Sequence, residues 1–351
     1  MSLVQPLFNG NLDIIGDIHG EYDALCSLLR HLGYDLQGGH PEGRRLVFAG
    51  DLGDRGPSSP AVFILIMYLC KIGRAQAVAG NHELNLLMQK PKEGTGWFFS
   101  EQASKDIRYM PFDVANEFQK KAFLEFMKEL PIALEREDIR VVHAAWEPSA
   151  IVALRSVTGR DAGQAHIAWE HEVALDIKQS GLKERYSQEQ VQWGSQLSDR
   201  ASRVPMLPAT AEYMLAHQMR NPLRIITSGI ERICTLPFFA GGKWRFVERH
   251  PWWKNYDEEP AVVCGHFWRR LGSSEPEDAN ELDLFTDVSP FSWHGKKNNV
   301  FCVDYSVGAR FREREAKKTV GANTKLAALR WPEKELVFDD GTRQITSQFM
   351  A

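Results

Sequence analysis

Charge of either sign is not in excess in this sequence: lysine and arginine total 42 against 46 aspartates and glutamates, a formal charge of −4. Such a balance lacks the basic surplus of a nucleic-acid or anionic-membrane binder, and a nucleic-acid partner is disfavoured. Cysteine is scarce. Cys26, Cys70, Cys234, Cys264 and Cys302 are odd in number, widely scattered and without a Cys-x-x-Cys pair. They argue against a disulfide framework and for reduced, mostly buried thiols. No basic segment followed by an apolar core opens the chain, so no secretory signal is visible. The longest apolar run, Ala61 to Cys70, is about half of what a membrane span needs. Cytoplasm and no membrane partner are the expectation. Internal repeats, low-complexity segments and a Gly-x-x-x-x-Gly-Lys-Ser/Thr phosphate loop are also missing.

What is present is the composition of an ordinary globular protein, 351 residues with 43% hydrophobic and 25% charged side chains. Short apolar runs at Leu12 to Ile15, Arg45 to Ala49 and Ala75 to Ala79 read as strands. Leu25, Leu28, Leu29 and Leu32 recur at helical spacing within Tyr22 to Leu32, and further helices are expected from Ser59 to Gly73, from about Glu83, and from Glu117 to Leu130. This alternation predicts an α/β fold with functional loops at the strand ends. After a strand at Ile139 to Val142, the stretch 150–245 turns polar and helix-compatible. Strands are expected again at Leu223 to Thr227, Trp244 to Val247, Ala261 to Cys264 and Val300 to Asp304, with a final hairpin of Leu326 to Arg330 and Glu335 to Val337. The reading is one domain over 1–351, completed late in the chain, with 150–245 as a mostly helical insertion or cap.

Six side chains of metal-ligand type fall at or just after these strand ends: Asp17 and His19 in GDIHG, Asp51 in GDLGDRG, Asn81 in GNHE, His143 in VVHAAW and His266 in VVCGHF. Imidazole with carboxylate and amide oxygen suits divalent ions such as Mn, Fe or Zn. Two ions held about 4 Å apart need a ligand that can bridge them, and a carboxylate can. Asp51, central in the series, is the candidate. Glycines flank the ligands where a sharp turn or close backbone approach would aim a side chain at an ion. Any one of these loops would be weak evidence; several in succession, each after an apolar strand, are strong.

Together the motifs resemble the calcineurin-like metallophosphoesterases, in the phosphoprotein-phosphatase-like branch, and are most similar to bacterial diadenosine-tetraphosphate hydrolases and the phosphatase domain of bacterial polynucleotide kinase-phosphatases. The likeness runs from Asp17 to His143 and resumes from about Pro251 to Val337. It implies a four-layer α-β-β-α sandwich of two mixed sheets and two divalent metal ions. Asp17, His19 and Asp51 would hold the first, and Asp51, Asn81, His143 and His266 the second. His82, partnered by Asp54, would be the general acid, and Arg55 would clamp the phosphoryl oxygens. A fork of guanidinium N–H groups suits phosphate, and a carboxylate on a histidine nitrogen fixes its tautomer. The implied activity is hydrolysis of a phosphomonoester or nucleotide polyphosphate, with a serine/threonine-type protein phosphatase, a phosphodiesterase or nuclease, or a catalytically weak metal-binding scaffold as alternatives.

The sequence departs from the resemblance in three places. Gly53 replaces a common valine, Ala144-Ala145-Trp146 replaces a glycine-rich turn, and Asp304-Tyr305-Ser306 replaces an Asp-Thr-Gly-like turn, so a tight glycine turn is not expected there. A second phosphate-binding arginine falls in the unmatched middle, with Arg200, Arg203 and Arg224 as candidates. Trp146, or one ring of the cluster Trp252, Trp253, Tyr256, Phe267 and Trp268, is a candidate for stacking on a planar substrate group. His166 and His171 read as surface or packing residues.

Overall fold

A computed structural model describes residues 2–35, 37–271 and 284–350. Two sheets form its centre. One has six strands in the order Arg343–Ile345, Glu335–Phe338, Ala327–Trp331, Leu12–Ile15, Arg45–Phe48, Ala75–Ala77, and the last three run parallel. The other has five, in the order Val4–Pro6, Ala133–Glu135, Ile139–Val142, Ala261–Cys264, Val300–Cys302, again with the last three parallel.

Side chains alternate across a strand, and here the alternation divides them between two kinds of core. Ile14, Val47, Val141, Val263 and Phe301 meet between the sheets. Their neighbours Ile15, Phe48, Val142, Cys264 and Cys302 face outward, into a core that includes Leu25, Leu28 and Leu32 of the helix Tyr22–Leu32 and Val62, Phe63 and Ile66 of the helix Ser59–Lys71. The result is the expected four-layer arrangement. The first of those helices stops at Gly33, which takes a left-handed φ of 98° and returns its N–H to the Leu29 and Arg30 carbonyls.

The middle of the chain supplies helices Pro148–Arg155, Ala162–Gln179, Leu182–Trp193 and Pro208–Met219. One expectation is corrected there and another is met and extended. The run expected as a strand at Leu223 to Thr227 is part of a helix, Pro222–Ser228, because Pro222 occupies its first turn and the Asn221 side chain accepts the Leu223 N–H at 3.1 Å. The strand expected at Trp244 to Val247 is one arm of a longer hairpin, Ile230–Ala240 with Lys243–His250. Its turn, Gly241-Gly242, has φ of 57° and 74°, the left-handed pair that two-residue hairpins require. Among the described residues no helix is long and apolar enough to cross a membrane.

Asp13 is an acid within a fully buried strand, and it is tolerated because it is matched. Arg44, itself fully buried, contacts it at 2.8 Å, Arg330 at 3.2 Å, and the Tyr34 hydroxyl donates to it at 2.7 Å. Removing one partner of such a buried pair leaves a charge without compensation. Arg44→Met is expected to lower the unfolding free energy by about 3 kcal/mol, read from the midpoint of a urea transition; an unchanged midpoint would show that Tyr34 and Arg330 suffice.

Candidate metal centre

The parallel strands of both sheets end on the same side, and each contributes a loop to one cluster. Asp17 and His19 follow Leu12–Ile15; Asp51, Asp54 and Arg55 follow Arg45–Phe48; Asn81 and His82 form the first turn of the helix Asn81–Leu87 after Ala75–Ala77. From the other sheet come His143, His266 and Asp304, after Ile139–Val142, Ala261–Cys264 and Val300–Cys302. Backbone strain accompanies this convergence. His19, Asp51, Asp54, Arg55 and His266 all have left-handed φ, between 47° and 73°, a conformation that costs a non-glycine residue energy and persists where the surroundings enforce it.

Two groups of ligand atoms result, His19 with Asp51 and His82, and Asp51 with His143 and His266. Asp51 belongs to both, as a bridging ligand must. Its Oδ2 lies 3.7 Å from His19 Nε2, 3.7 Å from His82 Nε2 and 3.3 Å from His143 Nε2. Asp17 Oδ2 is 3.8 Å from His19 Nε2, and Asn81 Oδ1 is 3.1 Å from His143 Nε2. All six ligand-type side chains read from the sequence therefore converge.

The remaining hydrogen bonds orient the rings. His19 Nδ1 donates to the Gly53 carbonyl at 3.1 Å, and His143 Nδ1 to the Ala49 carbonyl at 2.9 Å, which turns each Nε2 into the cluster. His82 Nδ1 contacts Asp54 Oδ2 at 2.5 Å, and the other Asp54 oxygen accepts from Trp97 Nε1 at 2.5 Å. Arg55 reaches 3.2 Å from both His19 Nε2 and His82 Nε2. Two close approaches fix the carboxylates: a Cβ at Gly265 would overlap Asp17 Oδ1, and one at Gly80 would overlap Asp51 Oδ1.

The electrostatics are those of a site built for added positive charge. Burial alone would raise Asp51, but His143, His82 and His19 outweigh it and hold the carboxyl well below its usual range. Asp17 is pushed well above that range by burial and by Asp304, and Asp304 is pushed up to about 6 by burial, with Asp51 adding to the shift. Burial would lower His143, yet Asp51 and Asp17 pull it up to about 10. His19 and His266 are held well below their usual range, first by burial and then by Arg55 and Arg249 respectively. Buried His266 Nε2 and Asp304 Oδ2 have no hydrogen-bond partner. Buried carboxylates, inward-facing imidazole nitrogens and these two unpartnered atoms fit a pair of divalent cations, and the N/O donor set fits Mn, Fe or Zn.

The structure adds residues that sequence reasoning missed. Glu83, fully buried, accepts the Gly80 and Asp51 N–H groups on Oε2 at 2.8 and 2.9 Å and the Leu52 N–H on Oε1 at 2.9 Å, locking two ligand loops together. It was visible as the last letter of GNHE. Trp97, which holds Asp54, carried no signal. The turn at Asp304-Tyr305-Ser306 corrects an expectation: Ser306 adopts the left-handed conformation, φ 64°, that glycine would otherwise supply, with its N–H on Asp304 Oδ1 at 2.8 Å.

Arg200, Arg203 and Trp146 are not among the side chains that meet at the cluster. Arg200 and Arg203 are exposed, with Arg200 6.0 Å from the Phe239 ring of the hairpin. Trp146 is buried beneath the Arg140 guanidinium at 4.3 Å. Ala144 and Ala145 pack in the core, their N–H groups on the Ile226 carbonyl. Arg224 is bound to Glu170 at 2.8 Å and His166 is buried against Asn221, so both tie helices together.

Strand-end loops from two sheets, one shared carboxylate and a histidine–aspartate pair beside an arginine define a dinuclear-metal hydrolytic class of site. The chain matches the model of the calcineurin-like phosphoesterases over residues 11–201 and belongs to that family. An asymmetrical bis(5'-nucleosyl)-tetraphosphatase of Halalkalibacterium halodurans is 51% identical over 73 residues, 20% of this chain and 30% of that protein. A protein of the same description from Oceanobacillus iheyensis is 35% identical over 140 residues, 38% of this chain and 54% of that protein. The chain thus spans about a third to a half of the length of these curated relatives. A cold-active protein-tyrosine phosphatase of a psychrophilic Shewanella superposes with a TM-score of 0.47 at 16% identity, over 98% of this chain and 82% of the other.

Two outcomes follow from this geometry. The raised His143 value means that its pairing with Asp51 stabilises the metal-free fold fully below the ordinary 6.5 and is lost as pH climbs through about 10. Metal binding must expel that proton, so Mn affinity should rise with pH toward about 10. Calorimetry at pH 8 in two buffers of different ionisation enthalpy should show proton release, and its absence would refute the protonated state of His143. Gly265→Ala should displace Asp17 and weaken Mn binding by about tenfold or more; undiminished affinity in an equilibrium titration would show that the contact yields freely.

Proposed function

We propose that this protein is a dinuclear-metal-dependent phosphoesterase that hydrolyses a phosphomonoester or phosphoanhydride of a small substrate, with nucleotide polyphosphates foremost. The observation that carries the reading is the Asp51 carboxylate, shared by two histidine groups and flanked by His82, Asp54 and Arg55. That the curated relatives are dinucleoside tetraphosphatases supports a nucleotide substrate. Five free cysteines support a reducing, cytoplasmic setting.

Asp17, His19 and Asp51 would hold one cation, and Asp51, Asn81, His143 and His266 the other. When bound, such a pair lowers the pKa of a water and neutralises charge that grows on the phosphoryl oxygens. The chain itself supplies the rest. Arg55, whose two terminal nitrogens lie 3.2 Å from His19 Nε2 and His82 Nε2, would grip the phosphoryl group and orient it for displacement. His82 is the proton donor to the departing oxygen. Burial opposes its protonation, but Asp51 and Asp54 prevail and raise its pKa above the ordinary imidazole value. Asp54 keeps Nδ1 occupied, so the proton that moves is the one on Nε2. Trp97 fixes Asp54 in turn.

The test is a parallel assay of the Mn-loaded protein on an aryl phosphate, an aryl phosphodiester, a dinucleoside tetraphosphate and a phosphopeptide. Turnover concentrated on the tetraphosphate or the monoester is expected; turnover on the phosphopeptide or the diester alone would replace the proposal. Asp51→Asn should lose metal and nearly all activity. His82→Asn should keep its metal and lose about 10²- to 10³-fold, chiefly on esters with poor leaving groups; an equal loss on good and poor leaving groups would remove His82 from the proton-donor role.

A further inference from the structure

The helix Ser59–Lys71 lies in an outer layer, yet Lys71 is its single charged residue. A surface helix ordinarily turns charged and polar side chains to water, and one that is apolar all round is ordinarily buried. Val62, Phe63, Ile66 and Leu69 fill the core, as an inward side should. The opposite side is hydrocarbon as well. Ile64, Tyr68 and the C-cap residue Ile72 are 50%, 44% and 42% exposed, and Ala61 and Leu65 are half-buried. Spaced three and four apart, these five side chains are neighbours and make one continuous face. The helices Tyr22–Leu32 and Glu117–Glu129 pack beside this helix and leave that face open.

The two ends of the face differ in charge. At the C-terminal end Lys71 and Arg74 are exposed, and neither forms an ion pair among the described residues. At the N-terminal end the Ser58 hydroxyl donates to the exposed Asp113 carboxylate at 2.9 Å, and among the described residues Asp113 meets no cation. A face that is neutral in the middle and opposite in charge at its ends is complementary to itself when a second copy lies antiparallel across it. With the two-fold axis between Ile64 and Leu65, Tyr68 falls opposite Ala61 of the second copy, a large side chain facing a small one. Ile72 then falls opposite Pro57, and Lys71 opposite Ser58 with its bound Asp113. The helix dipoles run opposed in the same arrangement. A partner of one dominant charge would suit one end of the face and repel the other.

We infer that the outward face of the helix Ser59–Lys71 binds a second copy of this chain, helix against antiparallel helix, as a two-fold dimer. The face runs along roughly 20 Å of helix. That places it at the small end of specific interfaces, so the dimer forms with a dissociation constant in the micromolar range. The apolar side chains supply the attraction, and the Lys71–Asp113 pairs, one at each end, fix the direction.

Sedimentation velocity on the Mn-loaded full chain, from about 1 to 300 µM, decides the matter. The wild type should pass from monomer to dimer across that range. Ile64→Glu and Tyr68→Glu each place a charge on the face of both copies and should weaken the dimer by about 100-fold or more. Lys71→Glu and Asp113→Lys should each weaken it by about fivefold, because the pair occurs twice. The double variant Lys71→Glu/Asp113→Lys exchanges the signs and should recover most of that loss. A wild type that stays monomeric throughout would overturn the inference, whatever else the face binds. So would a dimer untouched by Ile64→Glu and Tyr68→Glu, since its interface would lie elsewhere. A dimer lost in those two variants but not recovered by the charge exchange would overturn the antiparallel pairing. Melting curves separate lost association from lost folding, and Tyr68→Ser, which adds no charge and should weaken the dimer about tenfold, stands in if the glutamate variants do not fold.

Discussion

Three buried carboxylates, Asp17, Asp51 and Asp304, meet at the junction of two sheets, and the rest of the site answers to their mutual repulsion. Like charges in a low-dielectric interior can be kept together only by protons or by cations. His143 supplies one countercharge by taking a proton far above its usual pKa. The strained loops, the imidazoles turned inward by carbonyls behind them and the glycines that admit Asp17 and Asp51 all serve to hold those acids where further positive charge can satisfy them. Stability and chemistry are opposed here: an interior chosen only for folding would have replaced these acids with hydrocarbon.

Much of this was legible in the sequence because each ligand sits in a loop whose form is dictated locally. Apolar runs such as Leu12 to Ile15 announce a strand, and the glycine-flanked polar residues after them announce a turn carrying chemistry. All six candidate ligands came from that pattern, whereas the His82–Asp54 pair and Arg55 came from the resemblance that the motifs carry. The α/β class was legible for the same reason, since strand and helix alternate at short range in the first part of the chain, and the four layers were implied by the resemblance.

What escaped was whatever depends on contacts distant in sequence. The run Leu223 to Thr227 is apolar enough for either a strand or a helix, and a proline with its asparagine cap decided for the helix. The strand Ile230–Ala240 went unread although a Gly-Gly turn stood beside it. Trp97 and Glu83 do their work across loops that only the folded chain brings together. Ser306 shows the limit in the other direction: a missing glycine suggested a missing turn, but hydrogen bonds to Asp304 and to the Arg269 carbonyl support the same left-handed backbone.

The six candidate ligands are spread along the chain from Asp17 to His266, at three strand ends of one sheet and two of the other. No fragment that stops within the first sheet's crossovers, or before the late strands close the second, can present a full set. A nascent chain emerging from a ribosome would therefore carry incomplete and weak ion sites until Ala261–Cys264 has docked. A cation pair held by these side chains would join strand ends of both sheets. Catalytic competence in such a design doubles as a report that the polypeptide has finished folding.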